Sequence, residues 1–252
     1  MSLLAVRGLR KAFGGVQAVD DVSFDLAAGE MLALIGPNGA GKSTCFNMVG
    51  GQLPPDAGSV RLEGREIAGL NPRAIAAHGI GRTFQITATF GSMTVRENVQ
   101  MALIAHHGEV WRFWRPAAVR FAAEADALLA QVGLAEQAER ATGVLAYGDL
   151  KRLELAVALG NAPRLLLMDE PTAGMAPAER VALMQLTRRL ATERGVAVLF
   201  TEHDMDVVFD VSDRILVLNR GALIAEGDAA AIRADPAVRE VYLGTGAAGG
   251  GH

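Results

Sequence analysis

Residues 36–44 read Gly-Pro-Asn-Gly-Ala-Gly-Lys-Ser-Thr, a complete match to G-x-x-x-x-G-K-[ST], and they leave this chain little freedom. The run follows Met31-Leu-Ala-Leu-Ile35, which is apolar enough to require burial as a strand. It leads into Cys45, Phe46, Met48 and Val49, spaced as on a helix. Three glycines let the backbone turn tightly enough for successive N–H groups to converge on one anion. A helix starting near Lys42 adds the positive end of its dipole at the same place. Lys42 then supplies a compact charge for β- and γ-phosphates, and the Ser43 hydroxyl is placed to ligate Mg²⁺. A Gly-rich surface turn before a chance lysine is the plainer reading, but the flanking strand and helix argue against it. Of 24 basic residues only Lys11, Lys42 and Lys151 are lysines, so an arginine-using chain still has an ammonium inside this loop.

Length and charge narrow the field. A chain of 252 residues can bury one large core, or one core with an inserted lobe. Hydrophobic residues make up 50% and the mean hydropathy is +0.23, apolar for a water-soluble chain, yet no stretch approaches the ~20 apolar residues of a membrane span. That apolar excess fits either an α/β core or a surface that docks on a membrane protein or another subunit. Net charge is −4 and no basic cluster is interleaved with aromatics, so nucleic acid is not indicated as a partner. No export signal opens the chain, and its one cysteine, Cys45, reads as a small buried apolar residue. These features fit the cytoplasm.

Along the chain, residues 3–26 read as β structure, with Val22, Phe24 and Leu26 alternating with Ser23 and Asp25. Residues 58–63 repeat that pattern. Met31–Ile35, Leu165–Met168, Val196–Thr201 and Ile215–Leu218 are instead short, unbroken apolar runs, as in parallel strands covered on both faces. Asn219-Arg-Gly221 turns the chain into a closing hairpin at Ala222–Ala225. Between about 86 and 160 the period becomes helical: Ala122, Ala125, Leu128, Leu129 and Val132 recur at helical spacing, then Leu150, Leu153 and Val157. The Gly- and Ala-rich tail from 244 to 252 is expected to be disordered.

Leu165-Leu-Leu-Met-Asp-Glu-Pro171 is a second strong signal, a buried strand ending in two carboxylates where open α/β sheets bind ligands. Asp169 suits Mg²⁺, through water, and Glu170 suits acceptance of a proton from an attacking water.

From this point the chain resembles a known family. Leu145-Ala-Tyr-Gly-Asp149 resembles the signature motif of ATP-binding cassette (ABC) ATPases, Gln85 their Q-loop glutamine, His203 their switch histidine, and Phe13 the aromatic that stacks on adenine. The resemblance spans about residues 3–243. It implies an α/β P-loop NTPase fold with a RecA-like mixed sheet core, an N-terminal antiparallel β-subdomain and an inserted α-helical subdomain at about 86–160, all within one domain, 1–243. Gly79–Gln85, Leu145–Gly148 and Thr201–Asp206 resemble the ATPase of branched-chain amino acid importers more narrowly. By that resemblance Phe13, Gly36, Pro37, Asn38, Gly39, Ala40, Gly41, Lys42, Ser43 and Thr44 hold ATP. Ala146, Tyr147, Gly148 and Asp149 contact the nucleotide of the opposite subunit. Ser43, Gln85 and Asp169 serve Mg²⁺, while Glu170, His203, Gln85 and Lys42 serve hydrolysis. The implied partners are a second ABC ATPase subunit (a copy or a paralogue), two integral membrane permeases and, indirectly, a substrate-binding protein. The implied location is the cytoplasmic face of the plasma membrane.

Taken singly, several of these residues have blander readings. Phe13 on a strand could be core, Gln85 an ordinary loop residue, and a lone His203 structural. His106-His107 has no third ligand at useful spacing and reads as loop rather than metal site; Trp111 and Trp114 read as core in preference to partner surface. Three positions depart from the family pattern: Asp149 replaces the usual Gln, Ala176 in Ala173–Pro177 replaces Asp or Asn, and Ala146 replaces Ser. Other functions compete. A non-transport ABC ATPase usually carries two cassettes or long coiled-coil inserts, and a small-molecule P-loop kinase would need an acceptor lid in place of the signature. Importers of urea, amides or aromatic acids, and exporters of lipid-like cargo, are separated least by sequence.

Overall fold

The computed structural model describes residues 2–83, 89–108 and 121–243. Gln85, Trp111, Trp114 and the tail 244–252 lie outside the described residues.

Two sheets organise the molecule. β1 (Ser2–Phe13) and β2 (Val16–Ala27) form a hairpin through Gly14 and Gly15, whose φ values of 51° and 88° suit glycine at the reversal. β4 (Ala57–Leu62) and β5 (Arg65–Glu66) complete a four-stranded antiparallel sheet in the order β2-β1-β4-β5. Its alternation leaves one face wet: Arg7 and Asp25 pair at 2.6 Å on the surface, whereas Leu4, Val6, Phe24 and Leu26 are buried.

The second sheet runs β10-β9-β3-β8-β7-β6. β3 (Met31–Ile35), β6 (Ile80–Thr83), β7 (Leu165–Asp169), β8 (Ala197–Thr201) and β9 (Arg214–Asn219) are parallel, and β10 (Ala222–Gly227) pairs antiparallel with β9. The unbroken apolar runs have a simple cause here. Met31, Ala33 and Ile35 point into one core with the helices, while Leu32 and Leu34 point into another beneath the antiparallel sheet. The same division separates Leu166 and Met168 from Leu165 and Leu167, and Val198 and Phe200 from Ala197 and Leu199. Each strand is therefore apolar on both faces.

α1 (Lys42–Val49) follows β3 and buries Cys45, Phe46, Met48 and Val49 in the second core. α2 (Pro72–Ala77) starts with an Asn71 side chain accepting from Ala74 N and a proline at its first position. In the helical region, α3 (Val95–His106), α4 (Ala122–Gln131) and α5 (Tyr147–Gly160) pack on one another around Val99, Leu103, Leu128, Leu129 and Leu153. Thr94 and Glu97 cap α3 reciprocally, at 3.2 and 2.7 Å. α6 (Pro177–Arg194), α7 (Met205–Val211), α8 (Ala229–Ala234) and α9 (Pro236–Leu243) complete the chain. Among the described residues no helix is long and apolar enough to cross a membrane.

Candidate active site

The phosphate loop is shaped by what a side chain would strike. A Cβ on Gly36 would lie 2.2 Å from the Leu218 carbonyl oxygen, and one on Gly41 would lie 2.3 Å from that of Ala18. Both positions therefore require glycine, and both show the loop clamped between β9 and the β1–β2 hairpin. Further hydrogen bonds brace it: Gly221 N donates to Ala40 O at 2.9 Å, and Asp20 N to Gly221 O at 2.8 Å. Pro37, Asn38, Gly39 and Ala40 form the bend itself, closed by Ala40 N donating to Pro37 O at 3.1 Å. Gly41, with φ 101°, starts α1 without a side-chain cap, so the first-turn amides of Lys42, Ser43 and Thr44 have no acceptor within the helix and suit an anion. Lys42 is 7% exposed and folds back, its Nζ donating to Gly36 O at 2.7 Å and Pro37 O at 3.1 Å. Burial pulls its pKa below the ordinary lysine value, while Glu170 and Asp169 act in the opposite direction. The ammonium thus already senses the acidic pair.

That pair sits at the end of β7, knitted to β8 by one residue. The Thr201 hydroxyl donates to Asp169 Oδ1 at 2.8 Å and accepts from Glu170 N at 3.1 Å, and Thr201 O accepts from the same amide at 3.2 Å. Glu170 has φ 48°, a left-handed conformation that costs a non-glycine residue ~1 kcal/mol. Its Oε1 lies 2.7 Å from His203 Nε2. His203 is held in turn by Glu202, which is 6% exposed and accepts from Thr172 N at 3.0 Å, Thr172 Oγ1 at 2.6 Å and His203 N at 3.1 Å. Lys42, Asp169, Glu170 and His203 are thus brought to one edge of the parallel sheet. A carboxylate oriented by a hydroxyl, with Ser43 in the first turn of the adjacent helix, is a donor set of hard oxygens that fits Mg²⁺.

Sequence reasoning assigned no role to four contributors. Thr201 and Glu202 act through hydrogen bonds to residues 30 or more positions away. Arg82 approaches Asp169 Oδ2 at 3.5 Å from β6. Tyr242 of α9 takes a hydrogen bond from the Gly36 backbone; burial, opposed by that bond, pushes its phenol up to about 12. A cleft of about 570 Å³ separates this part of α9 from Pro37–Ala40. Arg82, Thr201 and Glu202 fall inside stretches the resemblance picked out, but no local pattern reveals the contact that any of the four makes.

Phe13 ends β1 49% exposed, with the Lys11 ammonium 5.8 Å from its ring centroid, available for stacking. The residues 146–149 lie elsewhere. Ala146 opens α5, and Tyr147, 47% exposed, donates to Ala173 O at 3.0 Å. Gly148 faces Glu179, and Asp149 accepts from Gln137 Nε2 at 2.7 Å. Among the described residues no hydrogen bond or ion pair joins 146–149 to 36–44. Ala176 begins α6 with its amide donating to Glu179 at 3.4 Å. His107, at the end of α3, stacks on Phe121 at 4.5 Å between ring centres.

Comparison with known proteins places this geometry. A family model described as ABC transporter matches residues 19–173, and one described as branched-chain amino acid ATP-binding cassette transporter matches residues 222–248. The chain is 42% identical over 249 residues to the high-affinity branched-chain amino acid transport ATP-binding protein BraF of Pseudomonas aeruginosa, covering 96% of this chain and 98% of BraF. It is 41% identical to the corresponding protein LivG of Salmonella typhimurium, with the same coverage. A crystal structure of the ADP conformation of an ATP-binding cassette of an ABC transporter superposes with a TM-score of 0.86 at 32% identity, covering 97% of this chain and 99% of that one.

Proposed function

The chain belongs to the ABC transporter ATP-binding family, and from that membership we propose that it is the motor subunit of an importer for branched-chain or other hydrophobic amino acids. It is an ATPase of the P-loop ABC fold. The substrate reading is supported by the names of the relatives and by the C-terminal match at 222–248. We read residues 1–243 as one cassette, with the helices between about 86 and 160 as its inserted subdomain.

In this reading the amides at the start of α1 and the Lys42 ammonium hold the β- and γ-phosphates, and Phe13 stacks on the adenine. Ser43 and Asp169, with Gln85, would hold Mg²⁺, which would supply positive charge against that developing on the phosphoryl oxygens. Glu170 accepts the proton of a water whose oxygen attacks the γ-phosphorus; the bond to the β–γ bridging oxygen breaks, and its electron pair leaves with ADP. His203, in contact with Glu170, keeps that carboxylate aimed and faces the terminal phosphate. Residues 146–149, remote in bonding from their own loop, serve the nucleotide of a second cassette. ATP then joins two cassettes until hydrolysis releases them. Two integral membrane permeases and a substrate-binding protein complete the importer, with this subunit peripheral on the cytoplasmic face.

The observation that carries this reading is the meeting of Asp169 and Glu170 on Thr201, with His203 against Glu170, beside a loop built for an anion. Replacing Glu170 with Gln tests it. ATP binding should persist and a stable dimer accumulate, while turnover drops by about 10²- to 10⁴-fold. An unchanged hydrolysis rate would remove Glu170 from its role. Co-purification from membranes tests the wider assignment, which requires two permeases and an amino acid receptor in the complex.

A further inference from the structure

Arg82 stands at the edge of the site, in an arrangement that neither the motifs nor the hydrolytic chemistry uses. Its guanidinium reaches Asp169 Oδ2 at 3.5 Å, and the two side chains are only 15% and 13% exposed. It is pinned from several directions. One terminal nitrogen donates to Asn47 Oδ1 at 3.0 Å, and the other is hydrogen-bonded to the Gln52 carbonyl oxygen. The guanidinium carbon sits 4.9 Å from the centre of the Phe46 ring. Gly50 makes the slot: a Cβ there would come within 2.9 Å of the guanidinium. Asn47, Gln52 and Gly50 belong to the C-terminal end of α1 and the turn after it, where a helix dipole favours a cation. Burial works against this charge and Asp169 supports it.

A guanidinium cannot be neutralised at physiological pH, and this one is fastened to Asn47, Gln52 and Phe46 as well as to Asp169. We propose that Arg82 is a resident counter-cation of Asp169, and that its fixed charge sets how tightly a divalent cation is held there. Without metal, Arg82 offsets a carboxylate that would otherwise repel Glu170 and incoming phosphates. With metal, Arg82 and the divalent ion share one carboxylate, and the repulsion between them weakens the ion's hold enough for release with each cycle. The inference rests on the reading of Asp169 as a Mg²⁺ residue and goes beyond it.

The test compares the affinity of a fluorescent ATP analogue in EDTA with that in saturating Mg²⁺, for the full chain and its variants. Magnesium binding to free nucleotide is common to all and cancels between proteins. Arg82→Gln should enlarge the ratio of the two dissociation constants by about tenfold, because a nearby like charge has been removed from a divalent ion in a partly buried site. Arg82→Lys, which keeps the charge but loses the fork, should stay within about twofold of the parent. A ratio that is unchanged or smaller in Arg82→Gln, or an equal rise in Arg82→Lys, overturns the proposal. Should Arg82→Gln fail to fold, Asn47→Asp decides, since a second carboxylate beside Arg82 must enlarge the ratio in the same direction. Asp169→Asn separates the premise from the inference: it should collapse the ratio, and if it does not, the metal assignment of Asp169 fails independently of Arg82.

Discussion

Single residues set the tolerances of the site. Gly36 and Gly39 both have positive φ, yet only Gly36 has backbone against its missing side chain. Gly36→Ala should therefore cost ~3 kcal/mol in denaturant unfolding and abolish nucleotide binding, since a neighbouring carbonyl has to move. Gly39→Ala, with nothing within 4 Å, should cost only ~1 kcal/mol for the left-handed conformation. Equal losses would show that space is not the discriminating factor. Cys45 offers a pH measurement. Full burial pushes its thiol up to about 12, above its ordinary value of 9.0. A group whose pKa is raised by folding contributes stability that is complete below the unfolded value. Cys45 should thus resist alkylation at neutral pH in the native state, and its contribution should fade only as pH climbs from 9 towards 12. Rapid native-state labelling at pH 8 would contradict the burial.

At the scale of elements, two helices give clear expectations. Lys151 and Glu154 of α5 pair at 3.1 Å with each side chain 7% exposed. Lys151→Met alone should destabilise by ~3 kcal/mol by removing the ammonium paired with a buried carboxylate, whereas Lys151→Met with Glu154→Leu should recover most of that loss in thermal melts. Thr94→Ala should cost ~1 kcal/mol by removing the α3 cap. Elements also show what was legible in the sequence. The central parallel strands could be read because coverage on both faces leaves no polar positions, and β1–β2 because one wet face imposes a period of two. β6 escaped notice: Ile80-Gly-Arg-Thr83 is short and polar, and it belongs to the sheet only through its register with Leu165–Met168. α6 escaped too, its buried Leu183, Met184 and Leu190 being diluted among exposed charges. The phosphate loop and the acid pair were legible because each is contiguous in the chain. The roles of Thr201, Glu202, Arg82 and Tyr242 were not, because each acts through a contact that exists only once the chain has folded.

For the whole molecule, the proposal that residues 146–149 serve a second cassette, and not the chain's own phosphate loop, would make activity a property of pairs. ATP turnover per molecule should fall steeply on dilution, and a rate that stays constant would mean that each subunit completes its own site. Nucleotide should also stabilise the fold by mass action, by ~2.7 kcal/mol at a hundredfold excess over its dissociation constant. In a chain of this length that raises Tm by about 5–10 °C.

The left-handed backbone at Glu170 carries a consequence for how such motors decay. With Glu170 as the proposed proton acceptor, its loss is open to drift wherever a duplicated cassette is relieved of its duty, but the replacement is not free. Asn, Asp and Gly enter that conformation cheaply, whereas Val, Ile and Thr meet their own branched carbons. Retired descendants of this lineage should therefore carry the first group at this position far more often than the second, a bias written by torsion angles before selection on catalysis has any say.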